Sequence, residues 1–307
     1  MKLNHLFRMA ACLPVLCLVV GSGMSAYAQD SGASADSEAD EAPALWELRL
    51  AAFGRYAPAY PGADESDLTM LPIPVPVYRG SRLRFGENLD QIARGEIAET
   101  RRLRFGIDLD FTFGEDSEDI AVRAGMPDLD FMVELGPELE IRLNEPNPRG
   151  GEFLLALQLR AAVSFDDLDP SSRGFLINPQ FEYRRDGLFD ADNLLSLRWK
   201  PTWASEDYMD YYYEVGPNFA TAGRPAYDAT AGYLGSTFTA ALTRQINDKL
   251  TFGVSASYYL YNSAENRTSP LFQSDSGASV QAALVWKLAE SERRAKPRKR
   301  SSTNPSR

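Results

Sequence analysis

The sequence predicts an all-β fold: a transmembrane, antiparallel, up-and-down β-barrel of about twelve strands, within a range of ten to twelve. Three observations predict it. Apolar residues recur at every second position over stretches long enough to cross a bilayer. After the first 28 residues no apolar run is long and charge-free enough to form a membrane helix. The chain also opens with an export leader.

The leader reads first. Lys2 and Arg8 supply a positive start, Met9 to Val20 an apolar middle, and Ala26-Tyr27-Ala28 a small-residue cleavage site, so residues 1–28 are expected to be removed. Residues 29–45 follow as a periplasmic linker; Asp30 to Pro43 is rich in Ser, Ala, Asp and Glu without one aromatic residue, a composition that favours disorder. The barrel is expected over 46–288.

Its strands are expected at Trp46–Tyr56, Ile73–Arg79, Leu83–Leu89, Arg101–Phe113, Asp128–Leu143, Glu152–Phe165, Gly174–Arg185, Leu194–Trp203, Tyr211–Val215, Asp228–Arg244, Lys249–Tyr261 and Gly277–Leu288. The clearest is the fourth. Leu103, Phe105, Ile107, Leu109, Phe111 and Phe113 share one face; Arg102, Arg104, Gly106, Asp108, Asp110 and Thr112 share the other. The sixth repeats the pattern, with Phe153, Leu155, Leu157 and Leu159 opposite Gln158, Arg160 and Ser164. The alternating prolines of Leu71–Val77 predict an irregular or weakly paired place. Ile246-Asn247-Asp248-Lys249 reads as a tight hairpin, Asn144–Gly151 as a longer loop, and Glu115–Asp119 and Asp166–Arg173 as acidic loops. Gly125, Gly136 and Gly232 suit bulges or close strand contacts. Trp46, Tyr56, Trp199, Trp203, Tyr208, Tyr211, Tyr212, Tyr213, Tyr258 and Trp286 fall near expected strand ends, as interfacial girdles would. Residues 289–307 form a basic tail expected to be disordered, with Arg293, Arg294, Lys296, Arg298, Lys299 and Arg300; with an even strand number, both termini face the periplasm.

Composition excludes several functions. The one histidine, His5, and both cysteines, Cys12 and Cys17, lie in the leader. The mature chain therefore has no disulfide, no Ser-His or Cys-His nucleophile and none of the usual zinc ligands. The net charge is −11, and about −13 once Lys2 and Arg8 are gone, which argues against nucleic acid as a partner. Asp128, Asp130 and Glu134 are close enough to suggest a cation site or acid–base work, but no calcium-loop pattern accompanies them. They read better as a lumenal row balanced by Arg102, Arg104, Arg160 and Arg198. Asp210-Tyr211-Tyr212-Tyr213 reads as a girdle or a loop packed into the barrel mouth, with a sugar-stacking platform as the competing use. No catalytic, cofactor-binding or metal-binding residues are assigned, no cofactor is expected, and the protein is expected not to be an enzyme.

Several stretches, in order, resemble the MipA/OmpV family, named for a protein that interacts with the murein hydrolase MltA. They are Trp46-Glu47-Leu48, then Tyr56-Ala57-Pro58-Ala59-Tyr60-Pro61-Gly62-Ala63-Asp64-Glu65, then Tyr78-Arg79-Gly80 after the prolines. Arg123-Ala124-Gly125-Met126-Pro127-Asp128-Leu129-Asp130 and Glu134-Leu135-Gly136-Pro137-Glu138-Leu139 are the most specific. Phe175-Leu176-Ile177-Asn178-Pro179, Asp210-Tyr211-Tyr212-Tyr213 and Tyr227-Asp228-Ala229-Thr230-Ala231-Gly232-Tyr233 complete the set. The resemblance covers residues 46 to 288. It implies a barrel in the outer membrane of a Gram-negative bacterium, in contact with outer-membrane lipid and lipopolysaccharide. For one branch it implies a scaffold joining a lytic transglycosylase to a peptidoglycan synthase; other members look porin-like or adhesive. It offers no catalytic residues. The basic tail departs from the pattern of barrels that end on an aromatic residue, and suggests a contact to peptidoglycan carboxylates. A narrow porin-like channel for small solutes is the alternative function.

Overall fold

The computed structural model describes residues 42–80, 84–86, 93–100, 102–145, 151–167, 169–188 and 193–295. The leader, most of the linker and residues 296–307 of the tail lie outside them.

The strands are β1 (Trp46–Pro58), β2 (Ser66–Arg79), β3 (Arg84–Phe85), β4 (Ala93–Glu99), β5 (Leu103–Thr112), β6 (Phe131–Arg142), β7 (Glu152–Asp166), β8 (Asp169–Asp186), β9 (Asn193–Ala204), β10 (Gly232–Asn247), β11 (Leu250–Leu260) and β12 (Ser276–Glu290); the one helix of α type among the described residues is α1 (Glu206–Tyr213). All pairing between consecutive strands is antiparallel. Ten strands are long, from 10 residues in β5 to 18 in β8. They form a curled sheet in which β1 pairs with both β2 and β12. The order of neighbours returns on itself through the two short strands, where β3 holds two pairs with β2 and one with β4.

The faces are inverted relative to a water-soluble protein. On β7, Leu157 is 45% exposed and Arg160 only 4%. Phe105, Phe153, Phe181, Trp199, Leu284 and Trp286 point outward, while Asp108, Glu134, Glu138, Gln158 and Glu182 are buried inside. Alternation produces this arrangement: along a long strand such as β7, one parity meets the exterior and the other the interior. An arginine on the outer face would have to sit in lipid. Leu157→Arg is therefore expected to destabilise the folded barrel by about 2–4 kcal/mol if the site lies near the bilayer midplane. Urea unfolding in lipid vesicles measures it, and an unchanged midpoint would mean that this face does not meet hydrocarbon.

The proline-rich strand pairs better than its sequence suggests. β2 keeps continuous register with β1 from Trp46↔Tyr78 to Pro58↔Ser66. Successive residues offer their backbone groups to opposite neighbours, so Pro72, Pro74 and Pro76 strip donors from one edge only. The poorly paired edge is the one toward β3. Gly86, with φ +81°, passes so close there that a Cβ would lie 2.8 Å from the Val77 Cα. Gly136 serves a similar close approach between β6 and β7, where a Cβ would meet the Arg160 Cα at 2.9 Å.

Several expected elements are corrected. The strand expected at Tyr211–Val215 is instead the end of α1. Tyr208, Met209, Tyr212 and Tyr213 are its buried residues, at helical and not alternating spacing. The same fact removes Tyr208 and Tyr211–Tyr213 from the exterior girdle, whereas Trp46, Tyr56, Trp199, Trp203, Tyr258 and Trp286 are exposed outward. The strand β4 was not expected, because Ala93–Glu99 carries one large apolar residue, Ile97, among charges. Of Leu83–Leu89 only Arg84–Phe85 is strand among the described residues. The acidic stretch Asp166–Arg173 is mostly strand: Asp166 pairs Asp169 across a tight turn in which Asp167 has φ 54°. Asp128 and Asp130 precede β6 rather than sharing a strand face. At the other end of the sheet, Ala44 bridges Arg294 and the Ala295 amide donates to the Pro43 carbonyl at 2.8 Å. The paired region thus extends beyond the expected boundaries at 45/46 and 288/289.

Candidate functional site

The site is the interior of the curled sheet, capped at one end by loops. Inward residues of β5, β6 and β7 converge on Arg160. Its Nε donates to Asp108 Oδ2 at 2.7 Å, its Nη1 to Glu134 Oε2 at 2.9 Å and Asp110 Oδ2 at 3.1 Å, and its Nη2 to Gln158 Oε1 at 2.9 Å. The fork of one guanidinium thus serves three carboxylates, of which Asp108 and Glu134 are buried and could not be so unpaired, while Asp110 is open to the interior space. Nearby, Arg104 pairs with Glu140, Arg184 Nε with Glu182 at 2.8 Å, and Gln158 Nε2 with Glu138 at 2.7 Å.

Of the arginines expected to balance the acidic row, Arg104, Arg160 and Arg198 do line the interior, whereas Arg102 is exposed beyond the start of β5. The expected carboxylate trio is dispersed. Asp128 accepts from the Ser117 amide at 2.8 Å, Asp130 from Ser164 Oγ at 3.2 Å, and Glu134 joins the Arg160 cluster. No group of three metal-ligating side chains is present among the described residues.

The cap is built by residues 59–65, 113–130, 205–231 and 261–275, all at the same end of the sheet because successive strands reverse direction. They enclose an apolar cluster that includes Tyr60, Ile120, Met132, Tyr208, Met209 and Tyr212. Helix α1 starts after Ser205 with Glu206 and Asp207 in its first turn, where acidic groups favour the helix N-terminus. It is tied down by hydrogen bonds on several sides. Tyr208 Oη donates to Glu134 Oε1 at 2.9 Å, Tyr213 Oη to the Pro61 carbonyl at 2.8 Å, and Arg123 Nη1 to the Tyr212 carbonyl at 3.3 Å. The Tyr60 and Tyr212 rings stack at 6.4 Å. Burial pushes the phenols of Tyr60, Tyr212 and Tyr213 above their usual range. They stay neutral, and Tyr60 and Tyr213 donate to the backbone carbonyls of Leu271 and Pro61.

Tyr208, Tyr212 and Tyr213 pack into the cap and not onto the outer face, where a girdle would place them. Their signal was available. Tyr208 and Tyr212, and Met209 and Tyr213, stand four apart behind Ser-Glu-Asp, a helix start.

One acid in the cap is out of balance. Asp210 Oδ1 is buried without a hydrogen-bond partner. Burial first, then the negative charges of Glu214, Glu206, Asp207 and Asp228, push its carboxyl up to about 6. A carboxyl raised in the folded cap favours the folded cap when protonated. That contribution is complete below the ordinary value of 3.8 and is lost as pH rises through about 6. The cap is therefore expected to open more readily at pH 7.5 than at pH 5, read as the rate of protease cleavage within 205–231. Asp210→Asn should flatten this difference; a pH profile identical to the parent's would assign it to other groups.

Below the cap, between Tyr208 and β10–β12, lies a cavity of about 350 Å³ lined by Arg55, Asp110, Arg160, Lys200 and a row of hydroxyls.

The family described as MltA-interacting protein MipA matches residues 50–288 of this sequence. No curated protein matches it. Among solved structures, the chain is similar to the COG4313 outer membrane channel from Pseudomonas putida F1, at 12% identity over 85% of this chain and 99% of that one, with a TM-score of 0.42. It is also similar to the translocator domain of the autotransporter NalP from Neisseria meningitidis, at 10% identity over 82% of this chain and 91% of that one, with a TM-score of 0.38.

Proposed function

Because the chain belongs to the MltA-interacting protein MipA family, we propose that it is an outer-membrane β-barrel that is closed at rest and serves as a non-enzymatic scaffold for cell-wall enzymes at the periplasmic face. In this reading residues 1–28 are cleaved on export. The twelve strands form a sealed barrel in contact with lipid and lipopolysaccharide, and the cap faces outward from the cell. The shorter connections and both termini face the periplasm. The partners are a lytic transglycosylase, as the family's description suggests, and a peptidoglycan synthase. The tail beyond Ala295 is the contact to peptidoglycan.

The observation that carries the reading is the cap. A helix packed into one mouth of the barrel, anchored by Tyr208 to the charge cluster inside, is ill-suited to free passage of solutes and compatible with a role at the opposite end. The outward belt of Phe153, Phe181, Trp199 and Trp286 supports the membrane setting. The test is purification of the barrel from cross-linked membranes under gentle detergent. A co-purifying lytic transglycosylase supports the scaffold; its absence at full cross-linking efficiency rejects it. Removing residues 296–307 should reduce sedimentation with cell wall, and unchanged sedimentation would dismiss the tail contact.

A second reading, a narrow gated channel for small solutes, is favoured by one observation: the cavity below the cap carries charged and hydroxyl side chains and is not filled by them.

A further inference from the structure

We infer that the cavity beneath the cap is a binding site for a small hydroxylated carboxylate, a monoanion of about the size of a sugar acid. The inference does not rest on the scaffold reading; either can fail alone.

Charge argues first. The protein as a whole carries −11, yet the charged side chains around the cavity are Arg55, Arg160, Arg198 and Lys200 against Asp108, Asp110 and Glu134. Arg198 acts on Glu182, its cross-strand neighbour just outside the lining, so the interior around the cavity is close to neutral although the chain as a whole is strongly acidic. Arg160 is fully engaged with its three carboxylates. Lys200 is not: the nearest carboxylate oxygen, Asp110 Oδ2, is 3.9 Å from its ammonium, beyond hydrogen-bond reach, and already accepts from Arg160. Arg55 lines the same cavity and makes no ion pair or side-chain hydrogen bond among the described residues, its charge acting on Asp110 and Tyr261 only from a distance. Two cations thus face the same space without close partners, and the acids beside them would repel an anion of higher charge.

The opposite wall supplies the remaining recognition. β10, β11 and β12 present Thr239 to Ser257 at 2.9 Å, Gln281 to Ser255 at 2.8 Å, and Tyr259 to Ser279 at 2.8 Å, all on the interior. A hydroxyl both donates and accepts, so each such pair retains capacity for a further hydrogen bond. Thr237 and Thr243 line the cavity as well. An apolar ligand would leave the remaining capacity of these pairs unused, whereas a polyhydroxylated one engages it. The volume, about 350 Å³, sits at the low end for ligand sites and limits the occupant to a small molecule.

The experiment is calorimetric titration of the full-length, detergent-solubilised barrel with glucuronate, glucose, glucosamine and inorganic phosphate. Glucuronate is expected to bind at least about tenfold more tightly than glucose or glucosamine, a difference of one lost charged hydrogen bond or more. Lys200→Gln should abolish that preference and Lys200→Arg should keep it, with folding checked by heat-shifted gel mobility. Should Lys200→Gln fail to fold, Arg55→Gln takes its place with the same expectation. Binding of glucuronate no tighter than glucose, or a preference that survives loss of the cation, overturns the proposal. Phosphate binding as tight as glucuronate overturns it too, since the hydroxyl wall would then contribute nothing.

Discussion

Replacing residues 205–231 with a two-residue Asn-Gly turn should convert an electrically silent barrel into one with discrete conductance steps in a planar bilayer. The replacement is geometrically allowed, because Ala204 of β9 and Gly232 of β10 already face each other in register and a two-residue turn joins such a pair. It removes α1, and with it the apolar cluster that Tyr208, Met209, Tyr212 and Tyr213 build against Tyr60 and Met132. It also removes the hydrogen bond from Tyr208 to Glu134. Tyr208→Phe isolates that last contribution: a bond to a charged acceptor is worth about 1.5–3 kcal/mol, so the point variant should show brief openings where the deletion shows sustained ones. If the shortened protein inserts and stays silent, the barrier to ions is the Arg160 cluster and not the cap.

The second large effect is expected at Arg160 itself. Arg160→Met keeps the volume of the stem and removes the charge. Asp108 and Glu134 would then be buried without their cation, and breaking such a pair costs about 3–5 kcal/mol. The midpoint of urea unfolding in lipid vesicles should fall accordingly. A triple variant, Arg160→Met with Asp108→Asn and Glu134→Gln, should recover most of the loss, because no uncompensated charge remains. Equal instability of the single and triple variants would show that packing and not charge is at stake. Three residues away in β7, at Leu157 on the outer face, the rule reverses, and there an arginine is the destabilising residue.

Much of this was legible from sequence because a two-residue period is a local property. The alternation from Leu103 to Phe113 and from Phe153 to Val163 fixes which parity is apolar whatever the strand pairs with, and the inverted exposure of Leu157 and Arg160 follows from it. Single-residue uses were less legible. Arg104, Arg160 and Arg198 were expected inside, but nothing local marks Arg160 as the one that gathers Asp108, Asp110 and Glu134 from two other strands. Arg102, one position before the strand, was expected with them and is not among them.

The sequence by itself determined the all-β class, the alternating faces and the polar interior, since each depends on the spacing of residues along one strand. Its composition also withheld from residues 29 onward the thiols and imidazoles that much catalysis uses. Only the tertiary structure decided that Glu206–Tyr213 is a helix, that its tyrosines turn inward and that the four long connections meet over one end. Those outcomes depend on what closing the sheet brings together. Three consecutive tyrosines suit a strand as well as a helix in isolation, and the choice falls to the partners, Asp130, Tyr60 and Pro61, that the folded sheet sets around Tyr211, Tyr212 and Tyr213.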